Sequence, residues 1–418
     1  KKELAPSSFL LDLKKIIEVD ESLINKNEQY IYSFGELTQK AAEQNDAELL
    51  LNAKSENEKN KLNEKFQVDK TRREHPFETF AYSGFIDATA EHVTGLLEKY
   101  AGSDYSISQL ELYAKCPFQF FLKRILKLTP LEEPTEELEP MEMGLLLHAI
   151  FEQFMKTVEK ENLNLQLEKE KAAQLLFEIA KEKIDKLSIH SSLSFWEIEK
   201  ILGVNGNKND SILSLFLEDE FSRADDFKPA YFEVPFGRLR NDDGQKSTAL
   251  SLNLTSNAKL RGKIDRIDIN FDEKHFKVYD YKLSGKKPNE EDLQLGISLQ
   301  IPLYLFAAGQ ILQNELNETF LPAAGIIYSL KFSRDDFGPD EVKAIKGKSY
   351  SKANAETREK IIRANQDLIS RSLQKIDELI NGISSGVYHL SKLEKREEKV
   401  CRLCSFRSVC RVQEIEVV

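Results

Sequence analysis

The stretch Leu260–Lys282 limits the possible folds of this chain more than any other. Two strand-like runs, Leu260–Asn270 and Phe276–Lys282, flank the polar segment Asn270-Phe271-Asp272-Glu273-Lys274-His275. A turn centred on Asp272–Glu273 sets a hairpin register in which Ile269 faces Phe276, Ile267 faces Val278 and Asp265 faces Asp280. Side chains alternate with period two, so these six share one face. The other face sets Asp268 opposite Lys277, Arg266 opposite Tyr279 and Ile264 opposite Tyr281, all acceptable cross-strand neighbours.

This register brings Asp265 and Asp280 together at the end of an apolar stripe, with Lys282 two residues further on the same face. Adjacent carboxylates repel unless a cation sits between them. Hard oxygen donors suit Mg²⁺ or Mn²⁺. A neighbouring lysine can orient an attacking water or stabilise charge developing on a phosphate. An ordinary surface hairpin is the competing reading, but burial of the Ile/Val/Phe stripe would then leave two unpaired carboxylates. His148 lies on the apolar run that begins at Gly144. A lone histidine there is often a core residue, and nearby carboxylates make a third metal ligand the alternative. Gly144 leaves room one turn away for a substrate backbone. Gln300 and Tyr304, one helical turn apart, form either a packing face or a polar pair turned toward phosphate or Lys282.

The chain has four cysteines, Cys116, Cys401, Cys404 and Cys410, three of them within ten residues. A disulfide framework is not expected in a long chain of intracellular character, so the grouping reads as a metal or cluster site. The 418 residues suggest two units or one large decorated domain. Residues 1–103 form a charged, largely helical N-terminal extension, with Ala41–Phe66 reading as a solvated helix. From residue 104 the pattern becomes α/β. Ser106 or Ser108 caps a helix, an acidic linker covers 132–142, and helices follow near 144–154 and 166–187. Strands are expected at Tyr231–Phe236, Ala249–Leu254 and Ala324–Leu330 besides the hairpin. A helical segment of about 292–313 is interrupted by Pro302. A long helix of about 353–383 carries an apolar stripe and ends at Gly382 and Gly386.

In this order, Gly144-xxx-His148, Gly262-Lys-Ile-Asp265-Arg-Ile-Asp268, Asp280-Tyr-Lys282 and Gln300-xxx-Tyr304 resemble the motifs of RecB-like nucleases of the PD-(D/E)XK superfamily. Cys116, followed by Cys401-x2-Cys404-x5-Cys410, resembles the split cysteine pattern of AddB-type nuclease domains, and Ser108-Gln-Leu-Glu-Leu-Tyr113-Ala-Lys-Cys116-Pro-Phe118 is especially similar to their entry into the cluster. The resemblance covers about 104–418. It implies a restriction-endonuclease-like core, a central mixed sheet flanked by helices, in a domain 104–418 closed by the four cysteines. It further implies His148, Asp265, Asp280 and the Tyr281 carbonyl as ligands of Mg²⁺ (or Mn²⁺), and Lys282 as catalytic with Gln300 and Tyr304 in support. Glu233 would stand behind the ligands, and the cysteines would hold a [4Fe–4S] cluster.

The expected activity is hydrolysis of DNA phosphodiester bonds at single-stranded ends in double-strand-break repair. AddB-type proteins carry a helicase-like region before the nuclease, whereas about 100 residues precede it here and no G-x4-G-K-[ST] loop occurs. A helicase-bearing partner subunit, or a helicase region missing from this chain, is therefore expected. The rivals are a CRISPR-adaptation-type exonuclease, a non-catalytic cluster-containing module that binds DNA ends, and a zinc four-cysteine scaffold. The net charge of −11 argues against nonspecific coating of nucleic acid but not against a local basic groove. No apolar run is long enough to span a membrane and no secretory leader is seen, so a cytoplasmic location is the expectation.

Overall fold

The computed structural model describes residues 40, 56–75, 77–78, 82–129, 140–187, 192–237, 250, 258–283 and 288–410. Residues 41–55, the linker at 130–139 and all but Leu250 of the expected strand Ala249–Leu254 lie outside them. The chain divides into two compact units, Lys1–Pro76 and Phe77–Val418. In the first, helix α1 (Glu56–Glu74) is polar nearly all round, the composition of a solvated helix.

Among the described residues, the second unit is built on six strands: β1 (Asp104–Ser106), β2 (Lys228–Phe236), β3 (Lys259–Asn270), β4 (His275–Lys282), β5 (Leu321–Ser329) and β6 (Gly338–Val342). The hairpin takes the register its alternation requires, with Ile269 opposite Phe276 and Ile267 opposite Val278. β4 and β5 run parallel. A parallel neighbour needs a crossover, here through the helix Gln300–Leu316. β6 and β2 add antiparallel neighbours and β1 a short parallel one. The result is a mixed sheet.

Helices cover both faces: α2 (Glu91–Ala101), α3 (Ile107–Lys115), α4 (Pro140–Lys160), α5 (Lys169–Asp185), α6 (Ser192–Leu202), α7 (Ile212–Ser222), α8 (Gln300–Leu316) and α9 (Ala355–Ser384). Ile267, Ile269, Phe276 and Val278 pack with side chains of α3, α8 and α9. Tyr279, Tyr281, Ile326 and Tyr328 pack with side chains of α4, α5 and α7. Coverage on both sides explains how Arg266, Asp268 and Lys277 come to be buried. Asp268 does lie opposite Lys277, but its carboxylate is ion-paired to Arg266 and Arg223, while Lys277 reaches Asp225.

Two expectations at helix ends are corrected. Pro302 does not interrupt a helix: the break falls at 295–299, and Pro302 sits in the first turn of α8, where a missing N–H is tolerated. Gly382 lies inside α9, which runs to Ser384; a Cβ there would come within 2.5 Å of the Tyr113 hydroxyl oxygen. Ser106 caps α3 in a reciprocal capping box with Gln109. The Tyr113 hydroxyl donates to the Val387 carbonyl (2.6 Å), and the Phe118 N–H donates to that of His389 (3.0 Å). The beginning of this unit is thereby bonded to its end.

Candidate metal centre

The β3–β4 ladder stops at Arg266 opposite Tyr279. Beyond it, Asp280, Tyr281 and Lys282 pair with β5. In the opening, Asp265 Oδ2 accepts a hydrogen bond from the Tyr281 N–H at 2.7 Å, so a side chain takes the place of a ladder carbonyl. Asp265 and Asp280 thus stand at the end of the Ile/Val/Phe stripe, both buried.

β2 breaks its own rule at this level. Phe232 pairs with Arg266 and Val234 with Ile264, and the residue between, Glu233, has φ +51°. A left-handed conformation at a non-glycine residue costs on the order of 1–3 kcal/mol and is concentrated at functional sites. Here the kink accompanies contacts of the carboxylate with His148 Nδ1 at 3.0 Å and Lys263 Nζ at 2.5 Å. His148, Glu233 and Asp265 present donor atoms within 4.8 Å of one another. With Nδ1 held by Glu233, Nε2 points at the Tyr281 carbonyl oxygen, 3.2 Å away. Two adjacent donors on an octahedral Mg²⁺, with bonds of 2.0–2.1 Å, lie about 3 Å apart. A carboxylate on the far ring nitrogen is the usual way a metal-bound histidine is oriented.

The electrostatics fit the same ion. Burial lowers the proton affinity of His148, but the Glu233 hydrogen bond and the charges of Asp265 and Glu233 outweigh it and lift the pKa to about 9. Burial, with the like charges of Asp280 and Glu233, holds Asp265 up at about 7. Burial also raises Asp280, against the pull of Lys282. Asp280 Oδ1 is ion-paired to Lys282 Nζ at 3.0 Å, while Oδ2 is buried with no hydrogen-bond partner. Asp280 stands outside the set of His148, Glu233 and Asp265 that converges within 4.8 Å among the described residues, but its charge acts on Asp265, and a buried carboxylate oxygen left bare there is a donor that a divalent cation would satisfy.

Helix α8 carries the remaining two polar candidates. The Tyr304 hydroxyl is buried, and its pKa is raised first by that burial and then by the charges of Asp280, Asp265, Glu111 and Glu233. Gly262 has the Phe236 ring where a Cβ would sit, at 2.6 Å, and that ring meets Tyr304 edge-on with centroids 6.2 Å apart. Gln300 is half-buried in the first turn of α8. Its N–H and that of Leu299 donate to Glu111 Oε1 at 3.2 and 2.7 Å, and the Lys282 charge acts on the same carboxylate. Glu111 therefore links the Ser108–Phe118 phrase to the lysine and to α8. Its place in that phrase was the only sequence signal, and the phrase pointed to the cysteines. A Cβ on Gly144 would meet only Leu283 Cδ1, at 3.8 Å.

Behind Tyr281 lies a network with no sequence signal of its own. Arg266 bonds Glu220 of α7 at 2.6 Å and Asp268 at 2.6 Å, and Arg223 reaches Asp268 at 2.6 Å. The Arg266 guanidinium lies 4.8 Å from the Tyr279 ring centroid. Each of these charges has a partner, as burial requires.

The four cysteines come together at the seam between Cys116 and the chain end. Cys116, Cys401 and Cys410 are buried and Cys404 is half-buried, all as thiols. Burial pushes the Cys116 thiol up to about 11, with further contributions from Cys404 and Cys401. Among the described residues, the one set of three metal-donor side chains converging within 4.8 Å is His148, Glu233 and Asp265, so no three of the sulfurs converge within that distance. A single zinc with Zn–S bonds of about 2.3 Å needs sulfurs roughly 3.8 Å apart.

Comparison with known proteins agrees with this geometry. Residues 104–411 match the PD-(D/E)XK nuclease superfamily. Among relatives, an ATP-dependent helicase/deoxyribonuclease subunit from Caldanaerobacter subterraneus subsp. tengcongensis is 30% identical over 241 residues, 56% of this chain and 19% of the relative. The protein of the same name from Acetivibrio thermocellus is 29% identical over 239 residues, 55% of this chain and 20% of the relative. That of Ruminiclostridium cellulolyticum is 25% identical over 357 residues, 75% of this chain and 30% of the relative. The matched part of this chain thus spans between about a fifth and a third of each of these relatives. The mixed sheet, the splayed hairpin and the extent of the match lead to one conclusion: the chain belongs to the PD-(D/E)XK nuclease superfamily.

Proposed function

We propose that this chain is the nuclease module of a DNA end-processing machine, hydrolysing phosphodiester bonds of single strands in double-strand-break repair with Mg²⁺ or Mn²⁺. The observation that carries this reading is the bare, buried Oδ2 of Asp280, in a centre where His148 Nε2 faces the Tyr281 carbonyl and the charges of His148 and Asp265 interact with that of Asp280. His148, Asp265, Asp280 and the Tyr281 carbonyl would hold the ion, with Glu233 fixing the imidazole tautomer. The ion would supply Lewis-acid polarisation of the scissile phosphate and a more acidic bound water. Lys282, its side chain 38% exposed, can reach the phosphate while Asp280 anchors its ammonium. There it would stabilise the charge that develops on the phosphate oxygens. Tyr304 and the amide of Gln300 would support that charge from α8.

Cys116, Cys401, Cys404 and Cys410 would hold a [4Fe–4S] cluster. That no three sulfurs converge as closely as one zinc ion needs supports a cluster over a single zinc ion. The relatives' name couples helicase with deoxyribonuclease, which supports a helicase-bearing partner or region acting beside this module. Without a motor, the module should cleave single strands and act poorly on blunt duplex, with the 5′-terminated strand as the expected target. Cleavage of 5′- and 3′-labelled single strands tests the proposal. Asp280→Ala and Lys282→Ala should each lose on the order of 100-fold or more in rate. Full activity of Asp280→Ala in Mg²⁺ would refute the assignment.

A further inference from the structure

Beside the metal centre lies a cleft of about 620 Å³ whose lining includes Met143, Trp196, Lys200, Leu283, Lys331 and Phe332. It shares a wall with the catalytic strand. Leu283 follows Lys282 in the chain, and the N–H of Leu330, another lining residue, donates to the Lys282 carbonyl at 2.8 Å. Met143 lies on α4 five residues before His148, about 7.5 Å along the helix axis.

The cleft's chemistry differs from that of the metal centre. Trp196, in the lining, is 55% exposed, and Phe195, which precedes it in α6 outside the lining, is 59% exposed. Two consecutive large aromatics presented to solvent cost hydrophobic free energy and mark a contact surface. Lys200, one helical turn after Trp196, is anchored by Glu197 at 2.5 Å, and Lys331 is anchored by Asp336. Aromatic faces with lysines on the rim, continuous with a phosphate-cleaving centre, form the combination that binds unpaired strands: bases stack while the cations follow the backbone.

We infer that Trp196 is a stacking platform for an unpaired base next to the scissile phosphate, which gives this module its preference for single-stranded DNA. The inference rests on the nuclease reading above. A paired base, already stacked in duplex, cannot lie flat on the indole.

Trp196 is the single tryptophan of the chain, so its fluorescence reports on this site alone. The Lys282→Ala protein, kept from cutting, is titrated with oligothymidylate while anisotropy of a labelled strand follows binding. Quenching should saturate together with the anisotropy. In the otherwise wild-type chain, Trp196→Ala should raise KM for single strands about 5- to 100-fold with a much smaller effect on kcat, and Trp196→Phe should recover most of the loss. Binding without quenching would overturn the platform, as would an unchanged KM in Trp196→Ala. So would a Trp196→Ala defect confined to association with a helicase partner, since the aromatics would then be a protein-docking surface. Failure of the nuclease reading looks different: the wild-type protein would cut no DNA, whatever the fluorescence showed.

Discussion

Metal binding at this centre should depend steeply on pH, and the structure sets the direction. Asp265 holds its proton up to about pH 7 and His148 up to about pH 9. Both values are raised. In the metal-free protein the stability each group contributes is complete below its ordinary value, about 3.9 and 6.5, and is lost as pH rises through about 7 and about 9. A cation needs both groups deprotonated, so its affinity moves the opposite way. Between pH 9 and pH 7 it displaces about one proton, roughly tenfold in affinity per pH unit; below pH 7 it displaces about two, roughly a hundredfold per unit. From pH 8 to pH 6 the loss is therefore about a thousandfold. At a Mn²⁺ concentration a hundred times Kd at pH 8, binding stabilises the fold by about 2.7 kcal/mol, or about 4 °C in Tm for a domain of this size. At pH 6 the same concentration should give a shift of less than about 1 °C. Thermal melts with and without Mn²⁺ at the two pH values measure this, with Asp280→Ala as the control. Equal shifts at pH 6 and pH 8, or an undiminished shift in Asp280→Ala, would refute the reasoning.

Three further outcomes are expected. Cys404→Ala should bleach the visible absorbance and lower Tm, because tying Cys116 to Cys401, 285 positions later, removes about 5 kcal/mol of chain entropy from the unfolded state; Lys282→Ala should keep colour and Tm. Glu233→Gln should weaken Mn²⁺ binding about 10- to 100-fold by calorimetry, because the imidazole loses its charged orienting partner. Glu111→Ala should cost about 1 kcal/mol in chemical denaturation, as for loss of a helix cap, yet lower the cleavage rate well beyond what that small destabilisation explains, because the start of α8 loses its anchor and Lys282 loses an interacting negative charge.

The hairpin was legible because alternation over two adjacent strands leaves one register that buries the Ile/Val/Phe stripe. The Ser106 cap and the stripe of α9 were legible for the same local reason. The helices α6 and α7 were not. Ile201 of α6 and Ile212, Phe216 and Leu217 of α7 are buried against the far face of the sheet, and a helix apolar on most sides gives little periodic contrast. Glu220 lies within that run, and nothing local reveals that Arg266, 46 positions away, neutralises it. The left-handed turn at Glu233 was equally invisible, since Val234 and Phe232 read as ordinary strand.

These misses share a cause that bears on how the centre works. Sequence rules describe a sheet that pairs fully and hides its charges, and this sheet does neither where Asp265 and Glu233 stand. If β3 and β4 stayed paired past Arg266, the Tyr281 N–H would be taken by a strand carbonyl and Asp265 would lose the bond that aims it. If β2 kept its β conformation at Glu233, the carboxylate would lose the kink that accompanies its contact with His148. The broken ladder and the strained residue therefore hold the donor atoms, and the cost of the open, charged interior is offset elsewhere. On the opposite face, Arg266 is saturated by Glu220 and Asp268, so the strand that carries Asp265 is gripped from behind by paired charges. That grip lets the front of the same strand keep a carboxylate, Asp280 across from it, with one oxygen bare.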